Sequence, residues 1–236
     1  MSRPRLVLFD IDGTLLSARA LAATLRDTFG TEGAAAGYDY SGKTDPQIVR
    51  ELMRGAGFAE AEIDLRLPAT LERYRERLLE WLQPGDVTAK PGTGPLLEAL
   101  ASDPRVTLGL LTGNLEPCAR AKLAPLDANR YFPLGAYGSD HEDRYRLPAV
   151  ALARGRAAAG IAFEGPDLVI VGDSTHDVLC GRSLGARAVA VATGRTPSGR
   201  LAEAAPDALL GDFSDTRAAL RAILGDGLHS MGRAER

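Results

Sequence analysis

The sequence predicts an α/β fold: a doubly wound, mainly parallel sheet with a helical block inserted after its first strand. Three observations carry this. Apolar runs at residues 6–9, 106–111, 168–171 and 188–192 are continuous rather than alternating, which suits strands covered on both faces. Segments with helical spacing separate the later runs. The interval 17–85 carries helical stripes and no convincing strand.

Taken in order, residues 6–9 give the first strand. Leu21, Leu25 and Phe29 then recur every four residues. Ile48, Val49, Leu52 and Met53 mark a second helix. Leu71, Tyr74, Leu78 and Leu82 mark a third, expected to start after Pro68. Leu96, Leu97 and Leu100 lie on one further helix, and Val150, Leu152 and Ala153 on another. Residues 136–138 and 208–210 are weaker strand candidates. Joints near Ser17 and at Gln83-Pro84-Gly85 divide the chain into an α/β unit (1–16 and 86–225) and a helical unit (17–85). Residues 226–236 read as a frayed tail.

The 236 residues are enough for one large domain carrying an insertion, and 45% apolar content is enough for a substantial core. With 28 basic and 31 acidic residues the net charge is −3, which gives no electrostatic reason to expect nucleic acid or an anionic membrane as partner. Cys118 and Cys180 read as free, buried thiols. The N-terminal apolar run meets Asp10 and Asp12 too soon to be a signal peptide. A soluble cytoplasmic protein is expected, either monomer or homodimer.

In such a sheet, ligands bind beyond the carboxyl ends of the strands. The first strand is followed by Asp10-Ile-Asp12-Gly-Thr14. The second main run leads into Thr112-Gly113-Asn114. The third leads into Gly172-Asp173-Ser-Thr-His-Asp177. Four carboxylates, a hydroxyl and an amide can therefore converge. Crowded carboxylates repel and call for a cation, and an all-oxygen set selects a hard ion such as Mg²⁺. Mg²⁺ held this way takes a phosphate oxygen as a further ligand, so phosphate ester chemistry is indicated.

DIDGTLL, LLTGN and GDSTHD, in this order, resemble three of the four motifs of the haloacid dehalogenase-like hydrolase superfamily, here in a phosphoglycolate phosphatase-like form. The likeness covers nearly the whole chain, and the helical unit resembles the superfamily's small cap domain. The resemblance implies that Asp10 is the nucleophile and forms a phosphoaspartyl intermediate. It implies that Asp12 protonates the leaving group, and that Thr112 bonds the phosphoryl group, with Gly113 and Asn114 beside it. Asp10, Asp12, Asp173 and Asp177 would serve Mg²⁺. The fourth motif is usually a lysine, but no lysine follows Lys122. Arg144, in HEDRYRLP, takes that position, with Arg146 its competitor. Arginine is permanently charged but differs from lysine in geometry. The acid at Asp12 favours a phosphatase or a mutase of the β-phosphoglucomutase type over a dehalogenase. The expected partner is a small phosphorylated metabolite.

Plainer readings compete. Asp177 can brace a helix start near Thr175. EDR around Arg144 can be a solvated charge cluster. GYDYSGKT, residues 37–44, matches the phosphate-cradling P-loop pattern, which would make the chain a nucleotide-binding protein. No strand precedes it, and Asp45-Pro46 reads as a helix start with Asp45 as cap. Lys43 is then either an ordinary solvated lysine or, as the family resemblance implies for this part of the cap, a residue of a specificity loop that faces the non-reacting end of the substrate.

Overall fold

A computed structural model of the protein describes residues 3–11 and 15–225. Its strands are β1 (Arg5–Phe9), β2 (Val106–Thr112), β3 (Leu134–Tyr137), β4 (Leu168–Gly172), β5 (Arg187–Val191) and β6 (Ala208–Leu210). All pair in parallel, in the order β3-β2-β1-β4-β5-β6. β1 lies between β2 and β4, with Phe9 level with Leu110 on one side and Val171 on the other. The chain order reverses beside β1, and such a switch point is where open parallel sheets bind ligands.

The helices are α1 (Leu15–Phe29), α2 (Asp45–Gly55), α3 (Glu60–Trp81), α4 (Thr93–Ala101), α5 (Glu116–Leu123), α6 (Leu147–Ala159), α7 (Thr175–Cys180), α8 (Ser198–Glu203) and α9 (Thr216–Leu224). Continuous apolarity in the central strands has a direct cause, because each side is covered. Val7, Phe9, Val169 and Val171 pack under α4, α5 and α9. Leu6, Leu8 and Ile170 pack under α6. Gly155 lets α6 lie close on β1, since a Cβ there would sit 2.6 Å from Leu6 Cδ2. Within α6 the buried positions are Leu147, Pro148, Ala151, Leu152 and Gly155, whereas Ala153 is exposed.

Between β1 and β2, α1, α2 and α3 close on a hydrophobic cluster of their own. Leu21, Leu25, Val49, Met53, Ile63 and Tyr74 are at most 2% exposed there. Leu115 and Cys118, from beyond β2, join this cluster and tie it to the sheet layer. The third helix starts well before Pro68, which lies inside it. An interior proline forfeits one helical hydrogen bond. Ile63, Leu67, Thr70, Tyr74 and Leu78 nevertheless fall on one buried face, and that packing outweighs the proline. The cap of α2 also differs from expectation. Thr44, not Asp45, is the N-cap, and its hydroxyl accepts from Gln47 N at 3.2 Å. That leaves the Asp45 carboxylate for another bond.

Candidate active site

β1 delivers Asp10 to the carboxyl edge of the sheet, where Asp10 N donates to Val171 O at 2.9 Å. β4 delivers Asp173 and, through the first turn of α7, Asp177. Carboxylate oxygens of Asp10, Asp173 and Asp177 lie within 4.8 Å of one another. Asp12 and Gly13 lie outside the described residues.

Local sequence fixes this arrangement. Ser174 caps α7 and forms a capping box with Asp177, whose Oδ2 accepts from Ser174 N at 2.9 Å and Ser174 Oγ at 2.6 Å. Asp177 therefore does brace the helix start, with Ser174 as the cap. Its other oxygen, Oδ1, accepts from Arg144 Nη2, which also lies 3.2 Å from Asp10 Oδ1. Arg144 sits on a short 3₁₀ turn held by Asp143, whose side chain accepts from Tyr145 N at 2.9 Å. Arg144 is 2% exposed, so EDR is no solvated cluster at this residue. Arg146, by contrast, has a side chain 72% exposed and, among the described residues, pairs with Asp143. Burial alone would lower the Arg144 pKa, but the carboxylates of Asp10 and Asp177 more than offset it and hold the group above its usual value.

Beyond β2, Thr112 is fully buried. Its Oγ1 accepts from Asn114 Nδ2 at 2.7 Å and from Asn114 N at 3.3 Å. The Asn114 amide also donates to Ile11 O at 3.4 Å and accepts at Oδ1 from Lys122 Nζ. Lys122, in α5, is fully buried. Sequence reasoning overlooked it, because a lysine on an amphipathic helix normally reads as surface. Gly113 presses against the start of α2, where a Cβ would lie 2.0 Å from Lys43 O, and Gly113 O accepts from Asp45 N at 2.8 Å. Asp45 Oδ2 accepts from Leu115 N at 2.9 Å. Burial pushes the Asp45 carboxyl up to about 6 despite the opposing pull of Lys122 and Leu115 N.

These groups line one cavity of about 300 Å³, shared by Asp10, Asp173, Thr112, Asn114, Arg144 and Lys43. Lys43 enters from the helical side, but its charge is engaged. Nζ bonds Glu51 Oε2 at 2.7 Å and Tyr38 OH at 2.9 Å. Burial opposes ionisation of Glu51, yet its bonds from Lys43, Tyr38 and Gln47 hold the carboxyl down at about 2. The residues before Lys43 form a turn and a 3₁₀ segment rather than a strand, so GYDYSGKT is no P-loop.

The donor set fits Mg²⁺. Three carboxylates offer hard oxygens against one guanidinium, which leaves their cluster net negative. Gly194 keeps space beside Asp173, since a Cβ there would stand 1.7 Å from Asp173 Oδ2.

The family model for haloacid dehalogenase-like hydrolases matches residues 7–182, from β1 through α7. The chain belongs to that family. A second, hydrolase-like model matches residues 149–216. The chain is 30% identical to a phosphoglycolate phosphatase of Agrobacterium fabrum, over 99% of this chain and 98% of that one. Among solved structures it is similar to a hydrolase from Pseudomonas syringae, with a TM-score of 0.66 at 22% identity, covering 92% of this chain and 98% of that one. It is also similar to CbbY from Rhodobacter sphaeroides, solved in complex with phosphate, with a TM-score of 0.61 at 20% identity, covering 90% of this chain and 96% of that one. Within the haloacid dehalogenase-like hydrolases the chain is phosphoglycolate phosphatase-like, a hydrolase of the phosphatase kind. None of its described helices is long and apolar enough to cross a membrane.

Proposed function

We propose that this haloacid dehalogenase-like hydrolase is a Mg²⁺-dependent phosphatase that cleaves a small phosphorylated metabolite through a phosphoaspartyl intermediate on Asp10. One observation carries the reading above the rest: Asp10, Arg144 and Thr112 line the same cavity at the switch point of the sheet.

In this reading Asp10, Asp12, Asp173 and Asp177 would hold Mg²⁺ or orient its shell, and Asp177 also orients Arg144 beside them. Mg²⁺ held there would supply charge neutralisation for the phosphoryl oxygens. An oxygen of Asp10 attacks phosphorus, and the ester P–O bond breaks. Asp12 gives its proton to the departing alkoxide and later takes one from the attacking water. Water then cleaves the acyl phosphate, which releases inorganic phosphate and restores the Asp10 carboxylate. Thr112 donates its hydroxyl proton to a phosphoryl oxygen. Arg144 holds Asp10 in line and offsets charge on the transferring group. Residues 17–85 act as the cap, with Lys43 towards the far end of the substrate.

Support comes from the cavity, the acidic cluster and the family membership. The test is to quench turnover in acid and look for an acyl phosphate on the peptide carrying Asp10. A phosphoryl group on that peptide, absent from Asp10→Asn, is the expected result. Turnover with no such adduct overturns the reading. A β-phosphoglucomutase-type enzyme would instead isomerise a sugar phosphate and release negligible phosphate.

A further inference from the structure

Thr112 Oγ1 takes two hydrogen bonds, from Asn114 N at 3.3 Å and Asn114 Nδ2 at 2.7 Å. A hydroxyl has two acceptor sites and one proton to give. With both acceptor sites engaged by Asn114, the proton of Thr112 must point elsewhere. None of the described residues accepts it, and Thr112 lines the cavity that holds Asp10. The hydroxyl is thereby aimed at whatever occupies the cavity.

This depends on which way the Asn114 amide faces. An amide turned over would set Oδ1 against Thr112. The hydroxyl would then donate to Asn114, and the cavity would lose its donor. Lys122 prevents this, because an ammonium group only donates. Its Nζ bonds Oδ1, so Nδ2 must face Thr112 and Ile11 O. The bond is charge-assisted, which makes it stronger than a neutral one. It is shielded from bulk solvent, since Lys122 and Thr112 are fully buried and Asn114 is 7% exposed.

We propose that Lys122 is a positioning residue: by fixing the polarity of the Asn114 amide, it directs the Thr112 hydroxyl proton onto the phosphoryl group. It acts through Asn114, one hydrogen bond removed. The inference rests on the phosphatase reading, in which Thr112 serves as a phosphoryl donor.

Two variants test it. Asn114→Asp keeps the shape and the Lys122 partner, but replaces the donor facing Thr112 with an acceptor. Lys122→Met keeps the length and removes the charge, so the amide is free to turn. The readouts are kcat, KM, the inhibition constant of inorganic phosphate, and the melting temperature. For Asn114→Asp, kcat falls about 100-fold, the size of losing one oxyanion donor, while the fold melts at or above the wild-type temperature. For Lys122→Met the expected loss in kcat is about 10-fold, and phosphate inhibits less well in both variants. In a Thr112→Val background, Lys122→Met has no further effect on kcat, since the hydroxyl it aims is gone. A folded Asn114→Asp enzyme with wild-type kcat overturns the proposal. So does a Lys122→Met loss that persists in full beside Thr112→Val. If wild type itself releases no phosphate, the phosphatase reading fails instead. Phosphate binding by calorimetry then still separates the variants if the relay holds, and leaves them equal if it does not.

Discussion

Arg144 and Asp177 form a buried ion pair whose shared nitrogen, Nη2, also lies 3.2 Å from Asp10 Oδ1. One guanidinium thus joins the carboxylate that follows β1 to the one braced in α7. Removing it leaves two largely buried carboxylates facing each other. Arg144→Met is expected to cost about 3–5 kcal/mol in stability, the size of breaking a buried pair. It also lowers kcat by at least about 100-fold. Arg144→Lys keeps the charge but has no fork, and recovers part of the activity. Arg146→Ala changes stability by less than about 0.5 kcal/mol and leaves kcat alone. Urea unfolding and steady-state kinetics on the three variants check this, and equal losses for Arg144→Met and Arg146→Ala would contradict it.

Asp45 supplies a pH prediction. Lys122, Tyr74 and Cys118 face it across the junction of α2, α3 and α5. Its carboxyl stands at about 6, above the ordinary 3.8. Between those values the folded state binds more protons than the unfolded state, so this group's contribution to stability falls as pH rises through the window. Asn cannot titrate. The stability difference therefore moves in favour of Asp45→Asn from pH ~4 to pH ~6, by at most about 3 kcal/mol for a shift of this size. Urea unfolding of both proteins at the two ends of the window reads it. A flat difference, or one of opposite sign, counts against the assignment.

Lys43 supplies a specificity prediction. Its charge is held by Glu51, so Lys43 reaches a substrate only in competition with that carboxylate. Glu51→Gln weakens the competitor and lowers KM for a substrate with a second anionic group by about 3-fold, a fraction of one charge pair. Lys43→Ala raises the same KM, and neither variant alters KM for a simple aryl phosphate. Equal effects on both kinds of ester would remove Lys43 from the specificity loop.

Gly194 supplies a metal prediction. Alanine there would drive a methyl group to 1.7 Å from Asp173 Oδ2, so the carboxylate must rotate. The Mg²⁺ concentration giving half-maximal activity is expected to rise about 10-fold or more, as for a displaced metal ligand. Titration of activity with Mg²⁺ checks this, with melting temperature as the control for folding. An unchanged half-saturation in a folded Gly194→Ala enzyme contradicts it.

The sheet was legible in the sequence because each central strand is covered on both faces, and that cover leaves runs such as Leu6-Val7-Leu8-Phe9 with no polar interruption. Positions beyond strand ends followed from the fold class alone. Local signals misled where tertiary packing decides. Pro68 looked like a helix boundary, yet Ile63 and Leu67 share a buried face with Tyr74. Asp45 looked like a cap because Thr44 offers the same chemistry one residue earlier, and only the backbone selects between them. Lys122 left no trace at all. Its role depends on an Asn eight residues away, brought near by one turn of chain and a helix. The Lys43–Glu51 pair was hidden for a similar reason, since it joins a loop to a helix face.

The measurement that bears most directly on the central claim is phosphate release from a panel of small phosphorylated metabolites, with Mg²⁺, by wild type and by Asp10→Asn. The account predicts that wild type releases phosphate from at least one of them and that the folded Asp10→Asn protein releases none above background. Equal release by both proteins, or none by either across the panel, would contradict it.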